Sequence, residues 1–165
     1  MVTYGAIGRW VKVVQRKLDE ILPNQPEDKE FRRAVHPLLA AFCAEYGGQA
    51  ELIDGYTIAF GRPGSAIDRV FVGYSHRGYL NLGYTRATDY TIGDFLGYLH
   101  RLVEDESNGV RRLVGALFDG RCIVFIQCMD GDWQEDEITA VNRDTLERLL
   151  VMLLGTAPGG GAEPG

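Results

Sequence analysis

Residues 111–129, RRLVGALFDGRCIVFIQCM, hold two strongly apolar runs joined at Asp119-Gly120. Aspartate and glycine tolerate the positive φ angles of a tight turn, so the pattern predicts a hairpin of two central strands. Toward the N-terminus, Ile92, Phe95, Leu96, Leu99, Leu102 and Val103 recur at helical spacing. They predict a helix over residues 91–104, capped by Asp89 or Thr91 and ended before Ser107-Asn108-Gly109. Before that helix the period falls to two. Residues 66–74 and 79–85 read as a hairpin turning at residues 75–78, and AELIDGYTIAFGRPG, from Ala50, reads as a shorter hairpin about Asp54-Gly55.

Two helices are expected ahead of these strands. Over residues 7–22, apolar Ile7, Trp10, Val11, Val14, Leu18, Ile21 and Leu22 alternate with Arg9, Lys12, Arg16, Lys17 and Asp19, an amphipathic pattern that stops at Pro23. Residues 27–46 open with Glu27, Asp28 and Glu30, where carboxylates complement the positive end of the helix dipole, and close before Gly47-Gly48. Pro37 is expected to kink this helix. Downstream of the central hairpin, the acidic residues 130–137 around Trp133 suit a short edge strand, because charge discourages stray pairing. Residues 142–154 predict a last helix. The tail, residues 155–165, is small residues, Gly and Pro, and reads as a flexible tail or linker. The expectation is one α+β domain over residues 1–154: a mixed β-sheet meander flanked by helices.

Composition narrows the function. At 165 residues with 45% apolar side chains, the chain can bury a core without a disulfide or metal. A formal charge of -6 argues against a chain-wide basic coat for nucleic acid, and 12 of the 23 acids fall after residue 100. No window approaches a membrane span and no signal-peptide pattern opens the chain, so the expected setting is cytoplasmic, with no membrane partner. Cys43, Cys122 and Cys128 lack metal-ligand or redox spacing and read as core thiols. No nucleophile elbow, phosphate loop, zinc helix or dinucleotide fingerprint occurs, and FGRPGS lacks the lysine and helix of a phosphate cradle. His36, His76 and His100 share no spacing and read as ordinary partly exposed residues.

One pattern does point to a family. EDKEFRRAVHPLLAAF, with its acidic helix start, SAIDRVFVGY, the helix bearing Asp94-Phe-Leu-Gly-Tyr98, and LVGALFDGRCIVFIQCMDGDW occur in an order that resembles the PD-(D/E)XK nuclease superfamily, particularly nuclease-like domains of restriction-modification proteins. The resemblance spans about residues 27–154. It implies a restriction endonuclease-like fold: a helix, a three-stranded meander, a second helix with a Gln-x-x-x-Tyr pattern, and a further apolar hairpin. It also implies a metal-binding aspartate at the start of the second strand, assigned here to Asp68. The next strand should carry Glu-x-Lys, but YLNLGY has Asn81 and Gly83 there.

That departure falls on the chemistry. A metal-dependent phosphodiesterase needs carboxylates for Mg²⁺ and a lysine to position water and offset phosphate charge. The resemblance therefore implies a catalytically degenerate domain that binds DNA or assembles within a restriction-modification or defence system. Asp68, Glu30 and Asn81 are its vestigial or relocated catalytic residues, Asp68 being the metal ligand, and no cofactor is expected. The alternatives are an active Mg²⁺-dependent endonuclease with relocated ligands, drawing on Asp89, Arg86 or Glu30, and a protein-interaction module. Asp68 reads equally as a solvated strand-start acid beside Arg69 or Arg62. Arg62, Arg69, Arg77 and Arg86 would face phosphate if DNA is the partner, and otherwise solubilise strand edges. The tyrosines of the middle segment, Tyr56, Tyr74, Tyr79, Tyr84, Tyr90 and Tyr98, are assigned to packing between sheet and helix.

Overall fold

The computed structural model describes residues 4–62, 64–75, 80–82 and 86–155. Among these residues seven strands form one mixed sheet. Its spatial order is β1 (Gln49–Ile53), β2 (Tyr56–Phe60), β3 (Arg69–Tyr74), β4 (Arg112–Phe118), β5 (Cys122–Met129) and β6 (Asp132–Glu135), with β7 (Thr139–Ala140) beside the start of β5. Neighbours are antiparallel except β3 and β4, which run parallel from Arg69↔Leu113 to Tyr74↔Phe118. A parallel pair cannot be joined by a tight turn. Here the crossover is α3 (Arg86–Glu104).

The sheet divides the core in two, and the crossover helix covers one face. On one face of the sheet, α1 (Tyr4–Ile21), α2 (Asp28–Glu45) and α4 (Arg143–Leu153) bury Val11, Val14, Val35, Leu39, Phe42, Leu146 and Leu149 against Val72, Val114, Ala116, Phe118 and Phe125. On the other, Ile92, Phe95 and Leu99 of α3 pack on Phe71, Leu113, Leu117, Val124 and Ile126. The continuous apolar reading of β4 and β5 follows from this, since side chains alternate between two covered faces. The ring of Phe95 fits where β3 and β4 are glycine: a Cβ on Gly115 would stand 3.1 Å from it, and one on Gly73, 3.3 Å.

Local chemistry fixes the element ends. Asp54 and Gly55 have φ of 54° and 84°, the mirror-image turn that matches strand twist, and Asp130-Gly131 repeats it between β5 and β6. Asp119 is buried, and its Oδ1 accepts the N–H groups of Arg121 and Cys122, both at 2.8 Å, closing the β4–β5 turn. Asn142 caps α4: its Oδ1 accepts Thr145 N–H at 2.9 Å while Thr145 Oγ1 accepts Asn142 N–H at 2.8 Å.

The main departures lie between β3 and α3. The strand expected over residues 79–85 is not found: Leu80, Asn81 and Leu82 lie outside any strand, and the others fall outside the described residues. Leu80 is instead buried with Phe71 and Ile92 in the core beneath α3. Leu82, two residues on, is exposed, so among the described residues the alternation does not mark one buried side. α3 starts at Arg86 rather than residue 91, and β3 at Arg69 rather than residue 66. Pro37 lies inside α2, which continues through it. The tail from residue 156 lies outside the described residues, as do Arg77 and Gly83. No described helix is long and apolar enough to cross a membrane.

Candidate functional site

The parallel strands β3 and β4 end side by side at Tyr74 and Phe118, with α2 packed on one face of the sheet and α3 on the other. Crevices at the carboxyl ends of parallel strands are where α/β sheets hold ligands. A cleft of about 310 Å³ opens here. The first turns of α2 supply Asp28 and Arg32, the β1–β2 turn supplies Asp54 and Gly55, and α3 supplies Thr91 and Asp94. Tyr56, Tyr74, Ser75, Phe95 and Leu117 complete the wall. Arg32 reaches over Gly55, where a Cβ would stand 3.0 Å from its Nη1.

Aromatic stacking joins the hairpin to the helix. Tyr56 stacks on Tyr98 with centroids 4.5 Å apart and on Phe95 at 5.6 Å. The Tyr98 hydroxyl donates to Asp54 Oδ2 at 3.2 Å. Burial, then the neighbouring Asp54 charge, pushes the Tyr98 phenol up to about 12. Burial also raises Tyr56, helped by Asp94. Beneath the cleft, His36 Nδ1 lies 2.7 Å from Thr57 Oγ1, and Thr57 Oγ1 bonds the Tyr74 hydroxyl. Burial lowers His36 and raises Tyr74. At neutral pH these tyrosines are protonated hydrogen-bonding groups, and the charges facing the cleft are three carboxylates and one guanidinium.

The residues singled out from the sequence are dispersed. Asp68 precedes β3, at the far end of the sheet from the cleft, where its Oδ2 accepts Arg111 and Arg112 N–H, both at 2.9 Å. Glu30 is exposed on the first turn of α2, next to Phe31, which packs on Tyr74 and Phe118 at the opposite end of β3. Asn81 is exposed outside the sheet. Among the described residues, no three His, Cys, Asp or Glu side chains are grouped to hold a metal ion.

The arginines are dispersed as well. Arg62 donates to the Tyr46 carbonyl at 3.0 Å, past the end of α2. Arg69 donates to the Asp68 carbonyl at 2.7 Å and lies over the Phe60 ring at 4.7 Å. Arg86 is exposed at the other end of the sheet, opening α3, and Arg77 lies outside the described residues.

From sequence alone Asp54 is a turn residue, Tyr56 and Tyr74 belong to packing, and His36 is an ordinary partly exposed residue. The usable signal was Asp94 four residues before Tyr98, which sets both on the flank of α3 that meets the β1–β2 turn. Comparison with known proteins adds no assignment: no family model, curated protein or solved structure matches this chain.

Proposed function

We propose that this chain is a catalytically degenerate nuclease-like domain that acts by assembly within a larger restriction-modification or defence protein. The contact between Tyr98 and Asp54 carries the reading. In the family that the sequence resembles, an acid opens the second strand of the meander and a tyrosine closes a five-residue pattern on the following helix. With the strands counted as they run, the second strand is β2, and the acid just before it is Asp54 rather than Asp68. Tyr98 closes the pattern Asp94-x-x-x-Tyr98, and the two side chains meet.

The third strand, RVFVGY from Arg69, contains neither glutamate nor lysine. The pair that would complete a hard-cation site and offset phosphate charge is therefore missing from it. Three carboxylates against Arg32 also disfavour a phosphate backbone in the cleft, which favours a protein partner. DNA binding is the second reading. It draws on α1, where Arg9, Lys12 and Arg16 are exposed at spacings of three and four.

Incubating the purified chain with plasmid DNA and Mg²⁺ or Mn²⁺ tests the proposal, and the expected result is intact plasmid. Cleavage that disappears in Asp54→Ala would overturn it in favour of an active endonuclease. Retardation of DNA at low salt that is lost when Arg9, Lys12 and Arg16 are changed to Glu would move the assignment to DNA binding. No retardation supports assembly.

A further inference from the structure

A chain of three polar groups, half-buried at His36 and buried at Thr57 and Tyr74, runs from α2 to the cleft wall, and the proposed assembly role does not use it. Thr57 is 0% exposed, with His36 Nδ1 on one side at 2.7 Å and the Tyr74 hydroxyl on the other. Tyr74 lines the cleft with Arg32. A threonine hydroxyl has one proton, so between two such partners it donates to one and accepts from the other. Only two ordered arrangements satisfy all three groups.

With Nδ1 bare, Tyr74 donates to Thr57, Thr57 donates to His36, and the cleft meets a lone pair of the Tyr74 oxygen. With a proton on Nδ1, His36 donates to Thr57, Thr57 donates to Tyr74, and the Tyr74 proton turns to the cleft. No O–H bond breaks. Each hydroxyl rotates about its C–O bond, and the one added proton comes from solvent and remains on the imidazole.

We infer that His36, acting through Thr57, sets whether Tyr74 presents an acceptor or a donor, and that with His36 charged the cleft takes an anionic oxygen between Tyr74 and Arg32. Burial favours the neutral imidazole at pH 7, and with its proton on Nε2 the donor arrangement is reached on acidification. Linkage then runs both ways: an anion that prefers the donor arrangement must raise the His36 pKa.

The surroundings of His36 restrict other causes. Strand register puts Leu52 of β1 and Val72 of β3 on the same face as Thr57, with Tyr74 two residues beyond Val72. Tyr74 is thus the titratable group that β1 to β3 turn toward this side of α2. On α2 itself, Arg32 and Arg33 lie one turn before His36 and Cys43 two turns after. α1 meets α2 near the other end, where Trp10 Nε1 donates to Glu45. α4 meets α2 within the shared core. Asp28, Asp54 and Asp94 share the cleft, and acid weakens their repulsion of an anion whatever His36 does.

The test follows the His36 imidazole by NMR through a pH titration of the full chain, with and without inorganic phosphate, and again with acetate. Wild-type His36 should show a bare Nδ1 when neutral. Phosphate or acetate should raise its pKa by about one unit, equivalent to tenfold tighter binding by the charged form. Thr57→Val should abolish that shift while leaving the carboxylate contribution to anion binding in place, and Thr57→Ser should restore the shift. Four results would overturn the inference: a protonated Nδ1 in neutral His36, anion binding that leaves His36 unmoved, an equal shift in Thr57→Val, or no binding of either anion at any pH where the chain is folded.

Discussion

The Tyr98 hydroxyl of α3 donates to the Asp54 carboxylate in the β1–β2 turn at 3.2 Å, tying the crossover helix to the outermost hairpin across 44 residues of sequence. A neutral phenol donating to a carboxylate resists ionisation twice over, by burial and by repulsion between phenolate and Asp54. Asp54→Asn should bring the Tyr98 pKa down from about 12 toward its ordinary value of 10. Absorbance titration of the phenolate band, with Tyr98→Phe to identify the transition, would show it. Because the folded-state pKa is the higher one, the phenol's contribution to stability is complete below pH 10 and lost between 10 and about 12. Urea midpoints measured across that window should fall more steeply for the wild type than for Tyr98→Phe.

Asp68 should behave as a structural residue. Its carboxylate accepts two N–H groups where β4 begins, and its own N–H donates to the Arg112 carbonyl, so it pins the entry of β4 beside β3. Asp68→Ala should destabilise the fold by about 1.5–3 kcal/mol, the range for hydrogen bonds to a charged group. Asp68→Asn should retain part of that loss, keeping one oxygen. Denaturant unfolding measures both, and calorimetric titration with Mg²⁺ should give the same trace for wild type and Asp68→Asn. Magnesium heat that disappears with the carboxylate would restore Asp68 as a metal ligand.

The hairpin at Asp54-Gly55, the amphipathic helices and the apolar pair β4 and β5 were legible because each rests on a local rule: turn chemistry, helical period or a continuous apolar run. The strand expected over residues 79–85 fails at 80–82 because alternation alone does not secure a pairing partner: Leu80 packs beneath α3 while Leu82, two residues on, is exposed. The candidate acid Asp68 and the cleft lie at opposite ends of the sheet, a separation that only the strand order reveals. The cleft itself was out of reach. His36, Thr57 and Tyr74 are 21 and 17 residues apart in sequence, and only the register of β2 against β3 and the seating of α2 bring them together.

Gly115 is the seat of Phe95, with the ring 3.1 Å from the position of an added Cβ. Neither group can yield easily, since Gly115 lies in the central strand β4 and Phe95 is 2% exposed. Gly115→Ala should cost about 1–3 kcal/mol by overpacking and push α3 outward. Displacement would break the Tyr98–Asp54 bond, so the Tyr98 titration should move toward 10 together with the stability loss. A destabilised variant with an unmoved Tyr98 would show that the sheet gives way instead.

The cap of α4 allows a simpler check. Asn142 and Thr145 satisfy each other's backbone donors, and the helix behind them buries Leu146, Leu149, Leu150, Met152 and Leu153. Asn142→Ala should lower stability by about 1 kcal/mol, and Asn142→Gly by less, because glycine leaves the cap open to water. Equal losses in the two would mean that the side chain does not act as a cap.

Cys43 supplies the last prediction. It is 1% exposed, and burial pushes its thiol up to about 11 although the nearby Arg62 pulls in the other direction. Thiolate is the reactive form, so at pH 8 about one molecule in a thousand would carry it even with access. Alkylation of the native chain at pH 8 should therefore modify Cys122, the half-buried thiol, well before Cys43. Cys43 should react only through opening of the core, at a rate that rises with urea as global unfolding does. Arg62→Ala removes the stabilising charge and should raise the Cys43 pKa further. It also removes the bond to the Tyr46 carbonyl that closes α2, and so should hasten opening. Because reaction runs through opening, alkylation should be faster in Arg62→Ala; slower alkylation would mean that Cys43 reacts in the closed fold, where the Arg62 charge governs it.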